Sequence, residues 1–498
     1  MLTSILIFLP IAGALFVWIV PWPTPRAAGG AALLVALAEL IVWVNRALNF
    51  DYGNPGLQDE ASHSWFSDLG VSYTVGLFDF SLWLVGLTVV VTTAAVAYGF
   101  WSGRERLGVY LGLLLFLEGA TVGVFAAQDL LLFYVFWEAM MIPLYILIGV
   151  WGGPGRVGAT IKFVIYTLAG SLLMLVSVIA LGLSAGTFDM GEIGESSSTW
   201  IFLGFAAAFA VKAPIWPFHG WLPDTYRESP AEVSAILSGV ISKAATYGFL
   251  RIGLVFFPSV VADWRTVILV LATIGLVYGS LLAFRAPDIR GVIAYSSLAQ
   301  VNLIVIGLFA VNDSGLSGAL LQMVTHGLVS AVLFLLAGAV ERRAATGDLS
   351  RLGGMARGRP LLATTLITAG VIALAVPGSS VFAGEFLILN GIFTRGWGWA
   401  IAGAVAIVLA AMYMLRLISA VLHTEPGPAV SEAALDLRPA ELGIVVPLVA
   451  CLLALSAWPA AISDHVQPSR TKVTLTAKRV NDQPPEGMMD SVFVGESK

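Results

Sequence analysis

Residues 210–224 read AVKAPIWPFHGWLPD. They continue an apolar run that begins at Trp200, so Lys212 sits in oil-like sequence two residues before Pro214. A charge at the centre of a bilayer costs about 2.5–3.5 kcal/mol even on permissive scales. Proline inside a helix removes one backbone hydrogen bond and frees a carbonyl. Membranes tolerate such a break where it is buried in protein or lines water. The stretch therefore reads as a broken transmembrane helix with an ionisable group at its break.

The rest of the chain agrees. Of 498 residues, 58% are hydrophobic and 11% charged, with a mean hydropathy of +0.89. A soluble domain carries about 25% charged residues. Apolar runs of about 20 residues recur throughout, as membrane-spanning helices require. Barrel strands alternate polar and apolar, and these runs do not. The fold expected is an all-α polytopic membrane protein lying in the lipid bilayer. The start, MLTSILIFLPIAGALFVWIV, lacks a basic region and a small-residue cleavage site, so it reads as the first span. The lone cysteine, Cys451, is an apolar filler. The net charge of −5 and the absence of a basic stripe with interleaved aromatics give no sign of a nucleic-acid partner.

Fourteen spans are expected, near 2–20, 28–48, 77–101, 107–126, 129–150, 160–185, 198–218, 231–257, 264–284, 290–311, 315–341, 361–391, 397–421 and 440–462. Alternate links carry most of the arginines, from Arg26 and Arg104 to Arg342, Arg343, Arg357 and Arg359. The opposite set is acidic or nearly uncharged. The positive-inside bias then places both termini on the outer side. Span twelve, LAVPGSSVFAGEFLIL, is broken by proline much as span seven is. Five spans separate the two, so they run in opposite directions. Paired broken helices point to inverted repeats with an ion path at the breaks. The expected domain is a single membrane unit over 1–462. Spans four to eight (107–257) repeat as nine to thirteen (264–421), and a polar tail covers 463–498.

The ionisable residues inside spans carry the chemistry, because such groups are expensive and mark ion or proton paths. Glu138 in span five is the natural partner of Lys212, since opposite charges in low dielectric stabilise each other. Lysine, unlike arginine, gives up its proton readily when buried. Lys243 in span eight can take the next proton. Glu385 in span twelve is a carboxylate at the pseudo-equivalent of the Lys212 position. His326 in span eleven can bridge the halves, because imidazole both donates and accepts. Glu118 in span four is a further buried carboxylate, and His219 lies just past the first break. Plainer readings stand beside these. Glu138–Lys212 can be a static ion pair that fixes packing, His326 a bonded core residue, and His219 part of a turn. Asp79 reads as a helix cap or first-turn acid, and Arg251 as reaching toward the outer interface. No cysteine cluster, haem-binding histidine pair, dinucleotide fingerprint or P-loop is present. The chain reads as an ion-moving module driven from elsewhere.

Five segments carry a family resemblance: LLLFYVFWEAMMIPLYILIGVWG, FAVKAPIWPFHGWLPDTYRESP, LSGVISKAATYGFLRI, DIRGVIAYSSLAQ and PGSSVFAGEFLIL. They resemble the antiporter-like, proton-translocating membrane subunits of respiratory NADH–quinone oxidoreductase, from about span three to span fourteen. Glutamate in GEF, where sister subunits look to carry lysine, is similar to the branch called chain M. The resemblance implies that Glu138 and Lys212 form a switchable pair. It also makes Lys243 a central relay and leads Glu385 toward the outer exit. FMN, iron–sulfur clusters and quinone would belong to partner subunits, with no cofactor or metal in this chain. Its neighbours would be the antiporter-like chains L and N. One departure is Gln300, where the family often has histidine at the end of AYSSxxH. The relay would then rest on His326 and water, or Gln300 would orient a water. A subunit of an Mrp-type cation/proton antiporter, or of a membrane-bound hydrogenase-like complex, is the alternative. The Ala-, Gly- and Arg-rich composition fits a bacterial plasma membrane.

Overall fold

In a computed structural model, residues 2–463 are described, apart from 55, 424 and 432. The polar tail, with Lys472, Lys478, Lys498 and His465, lies outside the described residues beyond Ser463. Among the described residues, twelve helices are long and apolar enough to cross a membrane. They are α1 (Leu2–Ile19), α2 (Pro25–Leu48), α3 (Asp79–Ser102), α4 (Leu107–Ala126), α5 (Leu130–Trp151) and α6 (Arg156–Ala185). After these, α7 (Thr199–Lys212) and α8 (Leu222–Glu228) form the first broken segment. Long helices then follow as α9 (Ala231–Phe256), α10 (Pro258–Arg285), α11 (Ile289–Phe309) and α12 (Asp313–Ala344). The second broken segment is α13 (Pro360–Ala373) with α14 (Ser380–Phe393). The long helices α15 (Trp397–His423) and α16 (Pro439–Ala457) complete the twelve.

Where the sequence suggests only an acidic loop, a β-hairpin joins α2 to α3. Its strands are β1 (Gln58–Phe66) and β2 (Val71–Leu77), paired antiparallel with His63 opposite Tyr73. β2 alternates apolar Val71, Tyr73, Val75 and Leu77 with polar or small residues, and Val71, Val75 and Leu77 are buried. Gly70 supplies the positive φ of the turn, at 65°. The hairpin is short and polar on β1, so its pattern was hidden among charges.

α9 and α12 are buried over their full crossing windows, and α11 nearly so. α1, α2, α6 and α16 leave most of theirs uncovered. Helices apolar all round suit the interior, and here they carry the polar residues. Lipid tails give no hydrophobic drive to helix association, so close approach depends on small residues. Gly239 of α9 and Gly327 of α12 meet this way. A Cβ on Gly239 would lie 2.9 Å from the Gly327 carbonyl oxygen, and one on Gly327 would lie 2.6 Å from that of Gly239. α12 and α14 approach equally closely, with a Cβ on Gly318 falling 2.7 Å from the Ile388 nitrogen.

The same backbone clasp occurs twice. Asp129 bridges Asp189 and Asp288 bridges Asp348, both 60 residues apart (189 − 129 and 348 − 288). Beside the first bridge, Leu130 N–H donates to the Phe188 carbonyl and Met190 N–H to that of Gln128. Beside the second, Ile289 N–H donates to the Gly347 carbonyl and Leu349 N–H to that of Pro287. Asp129 and Asp288 also cap the helices that follow, accepting from backbone N–H groups of the first turn.

Candidate functional site: a row of buried polar side chains

α7 stops at Lys212 because Pro214 cannot donate. The carbonyls freed there find other donors. Ala213 N–H still closes the last turn on the Phe209 carbonyl, while Ile215 N–H reaches the freed Ala210 carbonyl and the Trp221 indole reaches that of Val211 at 2.8 Å. The Asn302 amide of α11 lies 3.4 Å from the Pro214 carbonyl. The break is thus a backbone-satisfied turn buried in protein, as a membrane demands.

Lys212 is 2% exposed. Its ammonium lies 3.5 Å from the centroid of the Trp137 ring, a cation–π contact worth about 2 kcal/mol when desolvated. Glu138 is the next residue along α5, half-buried, and acts on Lys212 electrostatically. Among the described residues no hydrogen bond or ion pair joins the two, and neither Lys212 Nζ nor Glu138 Oε1 has a hydrogen-bond partner. The two groups stand close but unlatched, with the Trp137 ring holding the ammonium.

Lys243 lies between two π-helical stretches of α9, 237–241 and 249–253. Such stretches recur at functional sites because they open backbone acceptors. Lys243 Nζ donates to the Ser238 carbonyl at 2.6 Å and to Ser242 Oγ at 3.3 Å, and is 2.9 Å from His326 Nδ1. The Ser238 hydroxyl bonds Ser297 and Ser330. Lys243 and His326, 83 residues apart, are therefore in direct contact one turn from the Gly239–Gly327 crossing. In the second π-helical stretch, Arg251 is buried with its guanidinium 2.8 Å from Gln128, in the link between α4 and α5.

Beyond His326 the polar row continues. Gln300 donates to Glu385 Oε1 at 2.7 Å and accepts from Gln322 at 2.8 Å. Thr325 Oγ1 lies 3.3 Å from Gln322 Oε1. His326, Gln300, Ser296 and Ser330 line one cavity, with about 10 Å³ of room for the centre of a water molecule. That is space for roughly one water. Ser296 bonds Tyr413 of α15 at 2.9 Å. Glu385 is 1% exposed, and its second oxygen has no partner among the described residues.

The structure thus joins Lys243 to His326 and Gln300 to Glu385, with the cavity between the two pairs. It leaves two of the sequence candidates apart. His219 sits half-buried in the link after α7, its ring edge-on to Tyr278 at 5.4 Å. Glu118 is fully buried on α4, both oxygens without a hydrogen-bond partner among the described residues, and feels the charge of Glu39 of α2. Glu39 escaped the sequence reading, although an acid in the run ALAELIVWV carries the same signal as Glu118. Trp137, Gln322 and Ser238 escaped it because nothing local marks them. Asp79 takes the expected place, the first residue of α3. Among the described residues no group of three or more His, Cys, Asp or Glu side chains could hold a metal ion.

Residues 127–410 match the family model described as NADH:quinone oxidoreductase/Mrp antiporter, TM. The chain is 35% identical to NADH-quinone oxidoreductase subunit M of Rhodobacter capsulatus, covering 94% of this chain and 95% of that one. It is also 35% identical to the subunit of the same name from Mycobacterium tuberculosis (strain ATCC 25618 / H37Rv), over 99% and 98%. A chain of respiratory complex I from Thermus thermophilus superposes with a TM-score of 0.87 at 29% identity, covering 96% of this chain and all of that one. A chain of the Mrp complex from Dietzia sp. DQ12-45-1b shares the fold, at a TM-score of 0.84 and 21% identity. This multi-pass membrane chain belongs to the subunit M family of NADH-quinone oxidoreductase.

Proposed function

We propose that this chain carries protons across the membrane through the row Glu138–Lys212, Lys243–His326 and Gln300–Glu385, driven by quinone reduction elsewhere in the complex. The observation that carries the reading is the pair of contacts flanking the cavity, Lys243–His326 and Gln300–Glu385. Lysine and histidine exchange a proton directly. A water in the cavity takes it from His326 to the Gln300 side. Gln300 has no proton to give, so it orients that water and holds Glu385 in place. Lys212, held on Trp137 without a hydrogen-bond partner, is poised to pass its proton on when Glu138 moves away.

Fourteen crossings follow when each broken segment counts as one span, with both termini outside. The matched clasps Asp129–Asp189 and Asp288–Asp348 support two inverted repeats over 107–257 and 264–421. They fall in links assigned to opposite sides of the membrane by their charges. FMN, iron–sulfur clusters and the quinone site reside in partner subunits, and chains L and N are its neighbours. The relatives' name favours this complex over an Mrp-type antiporter, whose chain shares the fold.

The test is the purified complex in sealed vesicles, with NADH-driven acidification read alongside NADH–quinone turnover. Lys243→Ala is expected to assemble and to lose the protons this chain contributes. An assembled Lys243→Ala complex that pumps at the wild-type ratio would sink the reading.

A further inference from the structure

Two carboxyls outside this row have no assigned role. Glu39 of α2 and Glu118 of α4 are both 0% exposed, on helices packed against each other. All four of their oxygens lack a hydrogen-bond partner among the described residues. Glu39 acts electrostatically on Glu118. α3 runs antiparallel beside both helices. Its Gly99 meets Leu111, and Thr93 Oγ1 lies 3.3 Å from the Ala36 carbonyl. That register sets Thr92 level with both carboxyls, and its hydroxyl is likewise fully buried and unpartnered.

Among the described residues no cation forms an ion pair with either carboxyl. α1 has no charged residue, and α3 has only Asp79, at its far end. On α2, Arg26 lies in the first turn, 13 positions before Glu39, and Arg46 is engaged by Asp59, Gln58 and the Asn49 carbonyl. Arg104 is bound to Glu232, which Tyr110 also contacts. From α9, Lys243 is bound to His326. From α5, Glu138 acts on Lys212. An unpaired buried carboxylate is costly enough that the group takes up a proton instead, and two sharing one dry site titrate as a pair.

We propose that Glu39 and Glu118 form a second proton-holding site, on the α2–α4 side of the chain, that exchanges its proton during turnover. The proposal rests on the proton-carrying reading above. On loading, a hydronium gives up one proton and leaves as water. One carboxyl becomes neutral and donates its O–H to the other, which stays ionised. Release returns that proton to water. Thr92 offers the free carboxylate oxygens a donor.

Infrared difference spectra of the whole complex, recorded on adding NADH, read the carbonyl stretch of a protonated carboxyl directly. The wild type is expected to show such a band, shifted in Glu39→Gln and in Glu118→Gln and lost in the double variant. A band unchanged in the double variant, or no band at all, overturns the proposal. So does a band that appears only when sodium is withdrawn, since the oxygens would then hold that ion. Carbodiimide, which modifies protonated carboxyls, applied to the native complex and followed by peptide mass spectrometry needs no variant to fold. Modification of Glu39 or Glu118 is expected, and its absence overturns the proposal. Failure of the pumping reading would instead appear as normal pumping by Lys243→Ala, with these signals intact.

Discussion

Replacing Gln300 by leucine isolates its part in the row. Leucine nearly preserves the volume, so the change removes polar contacts without opening a hole. It leaves Glu385 Oε1 without its donor at 2.7 Å and the Gln322 amide without its acceptor at 2.8 Å. A hydrogen bond to a charged group contributes about 1.5–3 kcal/mol. Its loss destabilises ionised Glu385, so the step in which Glu385 gives up its proton slows roughly 10- to 150-fold, since each 1.36 kcal/mol is tenfold. The assay is NADH-driven acidification of vesicles holding the purified complex, with NADH–quinone turnover and thermal stability measured in parallel. Gln300→His is the companion variant. Imidazole keeps one donor and one acceptor and can also carry the proton, so its pumping is expected to stay near wild type. An assembled Gln300→Leu complex that pumps as well as wild type would show that the Gln322–Gln300–Glu385 chain is packing and not path.

Glu138→Ala and Lys212→Ala are each expected to abolish this chain's pumping while the complex still assembles, read in the same vesicles; normal acidification by either assembled variant contradicts the switchable pair. Glu385→Gln is expected to impair pumping more than Glu118→Gln, and the reverse ranking would put the main path on the α2–α4 side. Gly327→Leu is expected to force α9 from α12 and break the Lys243–His326 contact, lowering both pumping and thermal stability; a variant stable and active as wild type would mean the close crossing is not needed. Glu441→Ala leaves Arg343 without the carboxylate 2.7 Å away, in a pair whose side chains are 8% and 2% exposed. Breaking a buried pair from one side costs about 3–5 kcal/mol, and an unchanged melting temperature in detergent would refute that figure.

What the sequence settled is what depends on short range. A run of about 20 apolar residues is a span wherever it packs, because the helix satisfies its own backbone. A proline in such a run breaks it, and a charge in such a run must be accounted for. That logic located the twelve long helices, α7 and the span that divides into α13 and α14 to within about six residues, with both breaks and the in-span positions of Glu138, Lys212, Lys243, His326 and Glu385, but gave no helix at α8. It overlooked Glu39 although the signal was there, and missed the hairpin, whose alternation is short and mixed with charges. Which groups touch was decided only by tertiary structure. Lys243 meets His326 because two glycines let α9 and α12 close together. Gln300 reaches Glu385 because Gly318 lets α14 lie against α12. Lys212 rests on Trp137 and has no direct bond to Glu138. These contacts join residues up to 85 positions apart, and no local pattern encodes the packing that brings them together.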